Sequence, residues 1–217
     1  MIMNNRHLQL VKLDHLALSS YWKFLLLFFA LGIVNALFDS SGITTLILIS
    51  FIANTIIQSY LFGPEDKYDL NRLYASLPVT NKDIVFSRYL SSIILSAEIY
   101  VPFILLAIVV ALFKNQSSIL PGFFSMLGMS YGLSLIFVSI EFPLLYRFGF
   151  SKAQFIQAIP FIIAIAVVLL MRQVFGIDIL SHFSVSIHLT VILILIGLGA
   201  LLISFFVACK IRNKKLD

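Results

Sequence analysis

Apolar residues dominate this chain in six long runs, separated by short polar breaks. The runs are Tyr21–Phe38, Gly42–Phe62, Tyr89–Phe113, Ile119–Ile140, Ala153–Met171 and Ser186–Cys209, holding 18, 21, 25, 22, 19 and 24 residues. About 20 residues of helix cross a hydrocarbon core ~30 Å thick. Each run therefore predicts one membrane-spanning helix. The pattern as a whole predicts an all-α polytopic membrane protein with six transmembrane helices, residues 1–217 forming a single transmembrane domain.

The breaks are unequal. Asp39–Ser41 and Lys114–Ser118 are too short to fold by themselves, and Arg172–Val185 has room for a short interfacial helix but no receptor domain. On the other side, Gly63–Ile84 is the longest connection and carries a pattern of its own. Asp69 is an N-cap residue type, and Leu70, Leu73, Tyr74 and Leu77 follow at i, i+3, i+4 and i+7, one stripe of a helix. Pro78 ends that stripe, because the residue before a proline is driven out of the α region. Thr80-Asn81-Lys82-Asp83 then has the form of a capping box, expected to open the third span. The loop helix should be about two turns, roughly 12 Å long. Alone in water it would not hold, so its stripe needs the span ends, the lipid interface or a partner protein. The lead His7–Ser20 mixes leucines with Lys12, Asp14 and His15 without one clean apolar side, and reads as an interfacial segment feeding the first span.

Charge sets the orientation. An even number of spans puts both termini on the side of the Gly63–Ile84 loop, and thirteen of the 15 Lys and Arg residues fall on that side, leaving Lys114 and Arg172 on the other. By the positive-inside rule the N and C termini are cytoplasmic. With 60% hydrophobic residues, mean hydropathy +1.04 and 12% charged residues, the chain departs from soluble domains, which carry about 25% charge. The net charge of +5 does not point to nucleic acid. Its cations sit at span ends, where they meet anionic headgroups. A polar, mixed-charge lead precedes the first run, so no secretory signal peptide is expected. The single cysteine, Cys209, cannot form an internal disulfide.

A few residues invite a chemical reading. Glu98 lies about 14 Å into the third span counted from Tyr89, at a depth where a charged acid is costly. It is expected to face the bundle or dimer interior, either as a substrate-path acid receiving cationic groups or as a hydrogen-bonded structural acid; Pro102, one turn on, is placed to bend the helix. Glu141 near Arg147 reads as an edge salt bridge. Gly128-Met-Ser130-Tyr-Gly132 with His188 suggests an intramembrane serine protease. Against it, the hydrolase elbow needs a strand-to-helix turn, and Ser130 and His188 fall about 16 Å and 3 Å below the outer surface. Gly128 and Gly132 read more naturally as a close helix-packing face. His7, His15, His182 and His188 show no metal-ligand spacing. The sequence has no Gly-x-x-x-x-Gly-Lys-Ser/Thr element, so any nucleotide site is expected on a separate chain.

The stretch Asp69–Leu90, with Ser76-Leu77-Pro78-Val79-Thr80, a charged turn, Ile84-Val85 and Arg88-Tyr89, resembles the signature loop of bacterial ABC-2 type permeases, the six-span membrane subunits of ABC exporters. These include exporters of phenol-soluble modulins and related amphipathic peptides. Glu141–Ala153 resembles that family's link between spans four and five. A basic residue usually follows the Pro-Val-Thr element there; this chain has Asn81, with Lys82 next.

The resemblance implies a multi-pass permease in a bacterial plasma membrane, pairing with a second permease subunit as a homodimer or heterodimer and with two copies of an ABC ATPase. ATP and Mg would be held by that ATPase, and no cofactor by this chain. The loop helix would be the coupling helix, with Asp69, Arg72, Leu73, Tyr74, Leu77 and Pro78 at the ATPase contact; Glu98, from its depth in the third span, is the candidate for the substrate path. With no outer receptor domain, the expected cargo is hydrophobic or amphipathic, such as a peptide or an antibiotic-like molecule, exported from the cell. The other reading is a membrane immunity or assembly factor with no pump partner.

Overall fold

The computed structural model describes residues 6–18, 22–38, 42–64, 79–114, 120–150 and 187–216. Every regular element among them is helical: α1 (Arg6–Ala17), α2 (Trp22–Phe38), α3 (Gly42–Ser59, tightened into a 3₁₀ turn over Tyr60–Phe62), α4 (Asn81–Phe113), α5 (Leu120–Phe148) and α6 (Ile187–Leu216). Among the described residues four segments are long and apolar enough to cross a membrane, namely Thr45–Phe62, Asn81–Phe113, Leu120–Phe148 and Ile187–Lys214, and Trp22–Ala36 is a shorter apolar helix. The expected fifth span, 153–171, lies outside the described residues.

Three helices run past the ends that hydropathy alone assigns. At 33 residues α4 measures about 50 Å at 1.5 Å per residue, against ~30 Å of hydrocarbon. It starts at the capping box, two turns before the apolar run. The fourth span was expected to stop at Ile140, before Glu141 and Pro143. Instead α5 continues to Phe148 and ends at Gly149, whose φ of 79° suits a residue without a Cβ. Packing overrides the proline here: Phe142, Leu145 and Tyr146 are all buried. The expected link between the fourth and fifth spans is thus helical up to Phe148. Likewise α6 carries the basic tail as helix beyond Cys209, and Arg212, expected at the surface, is 6% exposed.

One core of buried apolar side chains runs through α2 to α6, from Ala36, Leu46, Ile99 and Phe103 to Leu135, Val138 and Phe142 of α5 and Leu201 and Ala208 of α6. Within it α5 and α6 cross at very short range. A Cβ on Gly132 would stand 3.0 Å from the backbone of Leu193 and Ile194, and one on Gly197 would stand 2.9 Å from the Gly132 carbonyl oxygen. The expected small-residue face is therefore present, and its partner is the last helix. The side chains of Leu195, Ile196, Leu202, Ile203 and Phe206 on α6 remain exposed, as suits a helix turned toward hydrocarbon.

Candidate functional site

The site is the seat of the loop between α3 and α4. The six residues proposed for partner contact, Asp69, Arg72, Leu73, Tyr74, Leu77 and Pro78, lie outside the described residues. Both stems of their loop are described.

The exit stem is built as expected. Thr80 adopts an extended conformation and its side chain accepts from the Asp83 backbone N–H at 3.2 Å, while the Thr80 backbone N–H donates to the Asp83 carboxylate at 3.0 Å. Each end of this capping box satisfies a donor that the first turn of a helix leaves bare. Next to it, Asn81 donates through its side-chain amide to Asn213 at 3.0 Å, fixing the start of α4 to the end of α6.

The entry stem is held by Arg88, on the second turn of α4. Its guanidinium donates to the Leu61 carbonyl, lies over the Phe62 ring at 5.2 Å, and meets the Asp14 carboxylate of α1 at 3.2 Å. Ser91, one turn further along α4, donates to the other carboxylate oxygen of Asp14 at 3.1 Å. Arg88 is 1% exposed and Asp14 4%. A planar guanidinium with several fixed donors can serve a carboxylate and a carbonyl together, which a lysine ammonium does less well.

Aromatic rings wall this knot. Phe62 makes edge contacts with Phe142 and Tyr146 of α5, at centroid separations of 5.0 and 4.9 Å. Tyr89 packs on Phe142 and on Phe205, and shares a 2.5 Å hydrogen bond with Ser204 of α6. Arg212 lies 5.6 Å above the Tyr146 ring. Thus α1, α3, α4, α5 and α6 all meet at the loop stems. Leu10 of α1 adds an apolar contact with Ile84 and Val79.

Glu98 has a partner that its spacing did not indicate. His15 of α1 places its Nε2 3.0 Å from the Glu98 carboxylate, both side chains being about a third exposed, 30% and 33%. Arg147, expected to pair with Glu141, lies over the Phe148 ring at 5.3 Å. Ser130 is buried and shares a 3.1 Å hydrogen bond with Tyr100 of α4, whereas His188 is exposed at the start of α6. The glycines flanking Ser130 serve the crossing with α6, where a Cβ on Gly128 would stand 2.6 Å from the Thr190 methyl group. Among the described residues no group of three or more His, Cys, Asp or Glu is placed to hold a metal ion.

Sequence reasoning missed two buried polar clusters. In the sequence Asp14 reads as one charge of a mixed lead, and Arg88 as a span-end cation and part of the Arg88-Tyr89 element of the family pattern, with nothing to pair the two. Their signal was an acid in a weakly patterned lead, to be matched with an arginine on the loop-facing turns of the third span. The second cluster joins α3 and α4: Gln58 donates to the Ser92 carbonyl at 2.8 Å and to the Ser96 hydroxyl at 2.7 Å, with Asn54 one turn away. Two amides at i and i+4 in an apolar run mark one face of that helix for burial against protein rather than lipid.

Among protein-family models, the one described as ABC-2 family transporter protein matches residues 9–213. No curated protein and no solved structure matches the chain. Since the matched region spans nearly the whole sequence, the chain belongs to the ABC-2 transporter family.

Proposed function

We propose that this ABC-2 family chain is the membrane-spanning permease subunit of an ABC exporter, driven by ATP that a separate ATPase subunit hydrolyses. The observation that carries this reading is the family match over residues 9–213. The construction of the loop stems supports its detail. The helix expected over 69–77 from the sequence pattern would pass a displacement to the two described stems, which are packed against α1, α4, α5 and α6. In this reading Leu73, Tyr74 and Leu77 seat in a groove of the ATPase on the cytoplasmic side, Arg72 meets an acidic rim, and Asp69 and Pro78 bound the helix. Closure of two ATPases on ATP would rock a pair of permease subunits between two packings, a rigid-body switch. The cargo is hydrophobic or amphipathic, a peptide or antibiotic-like molecule that reaches the spans from the cytoplasm or the lipid.

The test is co-purification with the ABC ATPase encoded beside this gene, comparing the unaltered chain with Leu73→Glu/Leu77→Glu. Capture of the ATPase by the unaltered chain, and its loss in a variant that still inserts, supports the reading. If no ATPase associates, or if the variant binds equally well, the coupling role fails and a membrane role without a pump becomes the leading account.

A further inference from the structure

We propose that Arg88 is a positioning residue for coupling, one that locks the N-terminal helix α1 and the entry stem of the 65–78 loop onto α4, so that all three move as one body. This rests on the permease reading above. The argument begins with what Arg88 touches. Leu61 belongs to the last turn before the loop, and Arg88 itself lies eight residues beyond the exit-stem cap Thr80. The bond from Arg88 to the Leu61 carbonyl therefore ties entry stem to exit stem across the base of the loop. Together with the Gln58 bonds to Ser92 and Ser96 about one turn away, it resists shear between α3 and α4 when the loop is pushed.

The Asp14 contact extends the same block to α1. A buried ion pair is a poor source of net stability, but separating its members leaves charge without compensation in a low-dielectric site. Arg88 and Asp14 therefore resist independent motion more strongly than apolar side chains of equal size, which can slide. Ser91 from the same face of α4 and the Leu10–Ile84–Val79 contact hold α1 on either side of the pair. Beyond Ala17 the chain soon enters α2, and Trp22 at its start packs edge-on against His15 with centroids 6.1 Å apart. Displacement of the loop thus has a packed route from α4 through α1 into the first span.

The test uses the full-length chain reconstituted with the ABC ATPase encoded beside it. Four variants are compared with the unaltered complex: Arg88→Met, Arg88→Lys, Asp14→Asn, and the neutral pair Asp14→Asn/Arg88→Gln. The pair matters because it removes both charges and so leaves no buried charge alone to unfold the protein. Insertion, ATPase capture, KM for ATP and kcat are read separately. The expected result is normal capture and unchanged KM in the neutral pair, with kcat lowered roughly tenfold, within the range over which residues on a coupling route act. Arg88→Lys should recover part of that kcat. A neutral pair that turns over like the unaltered complex, or that loses capture in step with insertion, overturns the positioning role. If Arg88→Met fails to insert, the neutral pair and Asp14→Asn decide by the same readings. If the unaltered chain captures no ATPase, the permease reading itself falls and takes the inference with it, an outcome distinct from normal capture with indifferent variants.

Discussion

Gln58 of α3 donates a 2.7 Å hydrogen bond to the Ser96 hydroxyl of α4, with Gln58 wholly buried and Ser96 1% exposed. The same amide group donates to the Ser92 carbonyl, while the Gln58 carbonyl oxygen and the Asn54 amide nitrogen are buried without a hydrogen-bond partner among the described residues. Neighbouring amides in one seam thus differ in what they contribute.

Replacing Gln58 with Leu should destabilise the bundle by about 1 kcal/mol, the usual worth of an interhelical hydrogen bond in membranes. Asn54→Leu should be close to neutral, because its buried amide nitrogen is desolvated without return and its Oδ1 accepts a long 3.4 Å bond from Gln58. Equilibrium unfolding of the two variants in bicelles checks this. Equal losses would contradict the assignment of the bond to Gln58.

The α5–α6 crossing depends on the missing Cβ at Gly197. Gly197→Ala is expected to cost about 1–3 kcal/mol as the helices are pushed apart. Gly199→Ala, where a Cβ meets nothing within 4 Å, should leave the melting temperature in detergent unchanged. Similar shifts in both variants would mean that helix propensity, not close approach, governs the site.

Thr80→Ala removes one half of the capping box and should cost about 1 kcal/mol. The readout is local. Amide exchange over residues 81–84 should accelerate, while exchange in the middle of α4 stays slow. Thr80→Ser, which keeps the hydroxyl, should restore protection.

Orientation is open to direct labelling. In a Cys209→Ala background, a cysteine at Lys114 is expected to react with a membrane-impermeant thiol reagent added to intact cells, and one at Asn213 only after permeabilisation. This follows from the thirteen-to-two distribution of basic residues. The reverse pattern would invert the topology and place the loop outside.

Much of the architecture was legible in one dimension. A span is selected by its length of apolar residues against a fixed hydrocarbon thickness, and a capping box by residue types three apart, both local properties. Four of the apolar runs and the shorter apolar helix α2, the start of α4 at Asn81, and the use of Gly128 and Gly132 for packing could all be read that way, and the Asp69–Leu90 pattern pointed to the ABC-2 family. The ends of α5 and α6 could not. Glu141 and Pro143 resemble a stop in sequence, yet Phe142 and Tyr146 are held in helix by Phe62 and Tyr89, which are distant along the chain.

The partners of the charged residues were decided by tertiary structure alone. Asp14, in a lead with no clean amphipathic face, becomes buried because Arg88 lies across from it, and Glu98 meets a histidine 83 positions earlier in the chain. A long-range ion pair has no period and no spacing to betray it. Hydropathy shows that a charge near a membrane needs a partner, and only the packing of α1 on α4 says which one it finds.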